Sequence, residues 1–209
     1  MHHQTLAHSM RRQKGLAMKT AAVVIMCLAG FTVAPAQEQT LAGDGYHNGG
    51  FGGPVLKVTA FKGETGILVG GRGGWIINHT LILGGGGYGL VNRIPASTPG
   101  PAGEPYVDFG YGGVELEYVH QWDKLMHLSV GLLIGGGGVG YRWEEGSSGQ
   151  SRGFFTMEPW VNGNLNVTHF FRISVGVSYR WVTGSDSPAA SDADLSGVAG
   201  ILLLRFGSF

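Results

Sequence analysis

Two neighbouring carboxylates, five histidines and two glycine fingerprints are the features of this chain whose types and spacing could support chemistry. Glu115 with Glu117, or Glu158 with a neighbour, offers the pair of carboxyl groups that acid/base hydrolysis of a glycosidic bond requires. His47, His79, His120, His127 and His169 could bring neutral imidazoles to one metal ion. Gly84-x-Gly86-x-x-Gly89 and Gly135-x-Gly137-x-x-Gly140 match the fingerprint that cradles a dinucleotide pyrophosphate. Trp143 and Trp181 could stack a sugar ring. A membrane-lipid enzyme would need a nucleophile and a histidine close to a membrane face.

Each possibility depends on the elements that carry it, and these repeat with a period of two residues. Strands are expected near 54–61, 66–77, 81–91, 106–119, 126–143, 154–167, 171–182 and 197–206. The sixth is the clearest: Thr156, Glu158, Trp160, Asn162, Asn164 and Asn166 share one face, and Phe155, Met157, Val161 and Leu165 the other. Pro159 sits on that apolar face, where its missing N–H predicts a bulge. The connections alternate in length. Asn78-His79-Thr80, 120–125 and 168–170 are short, whereas 92–105, 144–153 and 183–196 are long; the hairpin at Lys62-Gly63-Glu64 is a short exception. Strands of ten or more residues exceed those of soluble sheets and match tilted membrane strands. The expected fold is all-β, an eight-stranded antiparallel up-and-down transmembrane β-barrel, with short turns in the periplasm and long loops outside.

This frame reassigns the candidate chemistry. No helix follows either glycine fingerprint, so the glycines are expected to make room for large neighbours such as Tyr88 or Trp160. The histidines fall at the periplasmic end, spread around a rim, without tight ligand spacing. Lys57, Arg72, Glu115, Glu117, Glu158, Arg172, Arg180 and Arg205 all lie opposite the apolar residues. On a lipid face a midplane Arg or Lys would cost about 2–4 kcal/mol. A paired charge network plugging the lumen is therefore expected. Trp75, Trp122, Phe170, Phe171 and Phe206 would form a lower aromatic girdle, and Phe61, Tyr106, Tyr141, Trp143, Phe154 and Trp181 an upper one.

Residues 1–36 read as presequence and signal peptide. Arg11, Arg12, Lys14 and Lys19 precede an apolar run over 21–33 and an Ala34-Pro35-Ala36 cleavage site. Met1 and Met18 both stand as starts, Met18-Lys19 being the more natural. Gln13-Lys14 argues against a twin-arginine signal, and Met26 before Cys27 against a lipoprotein. Cys27 is the single cysteine and leaves with the signal, so no disulfide or thiolate site is expected. The signal holds four of the fourteen cations and none of the fourteen acids, leaving ten against fourteen, a net of −4. That balance disfavours nucleic acid as a partner. Residues 37–51 read as a flexible N-terminal segment and 52–209 as the barrel.

Over 52–209 the chain resembles the small outer-membrane β-barrel proteins of Gram-negative bacteria, most nearly barrels of Bacteroidetes type. The resemblance rests on Gly52-Gly53-Pro54, Gly73-Gly74-Trp75-Ile76-Ile77-Asn78, Glu158-Pro159 with Asn164-Leu165-Asn166, Phe171-Arg172, Ser178-Tyr179-Arg180 and the aromatic end Arg205-Phe206-Gly207-Ser208-Phe209. It implies Sec export and insertion by the barrel-assembly machinery. Phe209 is out of phase with Leu202, Leu204 and Phe206, so Phe206 is expected to close the strand and Phe209 to overhang. The resemblance implies no activity. The expected role is a non-enzymatic, cofactor-free barrel in the outer membrane. It would contact membrane lipid and lipopolysaccharide, and its loops could meet an extracellular or envelope protein. A narrow ion or small-solute channel and a lipid-modifying enzyme are the alternatives.

Overall fold

The computed structural model describes residues 48–61, 63–96, 105–142, 151–185 and 190–209. The signal, His47, Trp143 and most of the 144–153 loop lie outside these. Eight strands form the wall: β1 Asn48–Phe61, β2 Glu64–Ile77, β3 Leu81–Leu90, β4 Tyr106–His120, β5 Met126–Arg142, β6 Arg152–Asn166, β7 Phe171–Thr183 and β8 Gly197–Ser208. Each pairs antiparallel with the next, and β1 closes on β8 with Gly50 opposite Ser208 and Thr59 opposite Ala199. Closure leaves no strand edge, as lipid requires.

The two-residue period sorts the side chains. On β4, Val114, Leu116 and Tyr118 are exposed while Glu115 and Glu117 are buried. The alternation inverts the soluble pattern, with apolar outside and polar inside. On the outer face of β4, Asp108 and His120 bracket the apolar run, and Asp108 pairs with the exposed Arg142. The interval of a dozen residues at ~3.4 Å each, tilted ~40°, spans ~30 Å, the thickness of a hydrocarbon core.

Seven strands begin and end within two residues of the expected limits. β1 does not: residues 48–51, read as part of a flexible segment, are its first four residues. Glycines conceal the period there, and Phe51 alone carries a large inward side chain. Gly49 permits close approach, since a Cβ there would stand 2.1 Å from the Ser208 carbonyl oxygen.

Pro159 makes no bulge. Met157 faces Trp181 and Trp160 faces Ser178, so the register is unbroken across it. Asn166 N–H goes to Leu125 on the β5 side and Val167 N–H to Phe171 on the β7 side. Odd-numbered β6 residues therefore turn their backbone groups to β7, and Pro159 withholds one donor from Tyr179. The wall absorbs this as a local gap rather than an extra residue. A shallow notch of ≈ 300 Å³ opens outside it beside Pro159, Val161, Val177 and Tyr179.

Phe209 does not overhang. Its odd number gives it the inward parity of Leu203 and Arg205, and its ring stacks on Phe51 at 6.3 Å at the short-turn end of the lumen. That end is turned tightly. Asn78 and His79 both have positive φ (51° and 58°), and Thr80 N–H bonds the Ile77 carbonyl, the arrangement of a type I′ turn.

Candidate functional site

Among the described residues, the lumen is where the fold gathers its buried charged groups, and side chains from all eight strands line it. Near the short turns, Asn164 Nδ2 donates to Ser129 Oγ (3.0 Å), Ser174 Oγ to Asn164 Oδ1 (2.6 Å), and Arg205 Nε to Ser174 Oγ (2.8 Å). Arg205 also donates to Glu117 Oε1 (2.7 Å), and Arg72 Nη2 to Glu117 Oε2 (3.0 Å). Arg72 Nε lies 2.6 Å from Glu115 Oε2, off hydrogen-bond alignment, so that contact is Coulombic. Tyr88 donates to the other Glu115 oxygen at 2.6 Å.

Glu158 anchors the next level. It accepts from Lys57 Nζ (2.8 Å), Ser178 Oγ (2.5 Å) and Tyr111 Oη (2.6 Å). Lys57 stands 3.5 Å above the Tyr88 ring, and Arg72 packs over Trp160 at 4.5 Å. Two inward aromatics owe their room to glycine: a Cβ at Gly131 would meet the Trp160 indole at 2.3 Å, and one at Gly86 the Tyr88 hydroxyl at 2.7 Å.

Six of the eight expected lumen charges thus join ionic contacts. Arg172 and Arg180 stand outside these ionic contacts. Arg172 has Arg205 opposite it in register and lies on the Phe209 ring at 4.0 Å. Arg180 is fully buried and, among the described residues, pairs with no carboxylate. The network also recruits Tyr88, Tyr111 and Ser178 as hydrogen-bond partners. The first two have the same inward parity as the nearby charges, a signal available in the sequence.

The long-loop end is closed by apolar groups. Phe61, Phe109 and Phe154 pack together, with the ring of Phe109 5.3 and 5.4 Å from the other two. Phe61 and Phe154 therefore leave the expected upper girdle; each has inward parity. Ile94 and Leu195 fold in from two loops and are buried. Leu195 ends a short helix, α1 (Asp192–Leu195), with a Ser191/Asp194 capping box. Asp192 accepts from the Ser185 hydroxyl and from the Gly184 and Ser185 amides, which holds its carboxyl below the usual aspartate range.

Outside, Trp75 and Trp122 are exposed near the short turns, where Phe171 stacks on Phe206 at 4.9 Å; Trp181 is exposed and Tyr106 half-buried near the long loops. His79 stacks on Trp122 at 4.0 Å, His169 meets Phe170 edge-on, and His127 contacts the Lys124 carbonyl. Among the described residues no three histidines or carboxylates gather in a metal-binding group.

The closed wall, apolar exterior and filled ionic interior define a small transmembrane β-barrel with the fold of Gram-negative outer-membrane barrels. No family model matches the chain, and no curated protein matches it. Among solved structures it is similar to Neisserial surface protein A, at 12% identity and a TM-score of 0.54, over 79% of this chain and 99% of that one. It is also similar to the N-terminal β-barrel domain of Pseudomonas aeruginosa OprF, at 10% identity and a TM-score of 0.49, over 78% of this chain and 98% of that one.

Proposed function

We propose that this chain is a non-enzymatic outer-membrane barrel that serves as a structural element or presents its long loops to a partner. The carrying observation is the filled lumen: three carboxylates, three cations and the tyrosines tie neighbouring and opposite walls together where a pore would pass. Eight strands enclose a space that side chains just fill. The serine hydroxyls of the lumen bond to carboxylate, amide and guanidinium groups, an arrangement that fixes geometry and activates no nucleophile. The apolar exterior and its aromatic rings suit outer-membrane lipid and lipopolysaccharide. The N-terminal sequence supports export through a cleaved signal, with insertion by the barrel-assembly machinery.

Single-channel recording of refolded, heat-modifiable protein in planar bilayers tests the closed lumen. Silence is expected; reproducible conductance steps would replace this reading with a narrow channel. Altered lipid A or phospholipid in a deletion strain, restored by complementation, would replace it with a lipid-modifying enzyme.

A further inference from the structure

Among the described residues, the fully buried charges of the lumen do not balance, and the surplus sits at Arg180. Among the described residues, Lys57, Arg72, Arg180 and Arg205 are buried cations, and Glu115, Glu117 and Glu158 are the buried carboxylates. Five of the six carboxylate oxygens accept hydrogen bonds, and the sixth, Glu115 Oε2, has only its ion contact with Arg72. Glu115 has Tyr88 and Arg72, Glu117 has Arg72 and Arg205, and Glu158 has Lys57, Ser178 and Tyr111. No described carboxylate pairs with Arg180, whose exposure is 0%. Its Nε donates to the Leu195 carbonyl at 2.7 Å, while Nη1 and Nη2 have no hydrogen-bond partner.

A guanidinium cannot escape this situation by losing its proton. Its carbon lies 5.1 and 5.3 Å from the ring centroids of Phe109 and Tyr111. Those rings offset part of the charge, and neither Nη1 nor Nη2 makes an aligned hydrogen bond to them. Burying a charge without hydrogen-bonded compensation is costly by several kcal/mol. One excess cation with two free terminal nitrogens matches one small monovalent anion held end-on by the guanidinium fork. The Leu195 contact fixes the remaining edge of the fork and places the site beneath α1, at the long-loop end.

We propose that Arg180 binds a small monovalent anion, a halide or an oxyanion of carboxylate size, inside the loop-capped end of the lumen. The site lies beyond the structural or loop-binding role and does not depend on it. Bromide is the probe. The refolded full chain is titrated with sodium bromide at constant ionic strength, with gluconate as the balancing bulky anion. The heat-modifiability midpoint is read on gels, and bromide is located by anomalous diffraction. The expected result is a saturable rise in the midpoint and an anomalous peak within hydrogen-bond reach of the Arg180 fork. Arg180→Gln keeps a donor for the Leu195 carbonyl but lacks the charge, and should weaken bromide at least about tenfold. A wild-type protein without the peak, or with a non-saturable response, overturns the proposal. So does folded R180Q with undiminished bromide affinity. Should R180Q not fold, the wild-type peak and titration decide alone.

Discussion

Replacing Glu158 with leucine should destabilise the barrel by about 3–5 kcal/mol, the range for a buried pair robbed of one partner. Glu158 is fully buried and accepts three hydrogen bonds, from Lys57, Ser178 and Tyr111. Its removal leaves the Lys57 ammonium with the Tyr111 oxygen at 3.1 Å and the Tyr88 ring at 3.5 Å. That ring offsets about 2 kcal/mol. Each hydroxyl stripped of its acceptor adds about 1–3 kcal/mol unless it rotates to another. The folded-to-unfolded ratio should fall by roughly two to three and a half decades. Lys57→Met should cost a similar amount, because it leaves the carboxylate buried without its cation. The double variant should cost less than either single one, since an apolar pair removes both charges together. Urea unfolding of detergent-refolded protein, followed by tryptophan fluorescence and heat-modifiable migration, measures all three. Single variants within about 1 kcal/mol of wild type, or a double variant equal to the sum of the singles, would refute the ionic lumen as a stability element.

Gly131→Ala should destabilise by about 1–3 kcal/mol by overpacking, because its Cβ would stand 2.3 Å from the Trp160 indole and 2.7 Å from the Leu116 carbonyl oxygen. Gly89→Ala meets nothing within 4 Å and should change the same urea midpoint little. Val114→Arg, on the exposed lipid side midway along β4, should cost about 2–4 kcal/mol in folding into lipid vesicles. Asp192 supplies a pH response outside the wall. Its carboxyl is depressed by the Ser185 hydroxyl first, then by the Ser185 and Gly184 amides. Its support for the α1 cap should be complete above the ordinary aspartate range and lost as pH falls through its lowered value. Limited proteolysis from pH 7 into the acid range should show cleavage after the cap loosens, and Asp192→Asn should give cleavage already at pH 7.

What the sequence reveals follows from which physical rule acts locally. Inside a strand, parity assigns a side chain to lipid or lumen with no knowledge of its partner, because a shift of one residue would put charge into hydrocarbon. Arg72, Glu115, Glu117, Glu158 and Arg205 were legible for that reason. The same rule covers Phe61 and Phe154, whose aromatic type suggested a girdle, and Phe209, whose change of phase suggested an overhang. The structure shows that parity outweighs residue preference near a strand end as it does at mid-strand. Pro159 marks a different limit. The donor lost at a proline is read from one residue, but whether the wall bulges or simply gaps depends on the neighbouring strand's register.

Parity states which face a charge takes and is silent on how many partners wait there. Arg172 and Arg180 satisfy the rule as well as Arg72 does, but carboxylate oxygens are a finite resource that opposite strands divide among themselves. The allocation depends on height along the barrel axis, which is set by strand stagger. Ile94 and Leu195 lie beyond the rule altogether, in loops where no period operates. They turn inward because the long-loop end of the lumen holds the Phe61, Phe109 and Phe154 cluster, and covering apolar area there is favourable. The loops that carry Ile94 and Leu195 therefore cap the barrel, and those two residues are not free to meet a partner. On the proposed loop-binding role, a binding surface must be sought on loop positions outside the Ile94 and Leu195 contacts, while the interior beneath them holds the Arg180 fork, whose terminal nitrogens have no hydrogen-bond partner among the described residues.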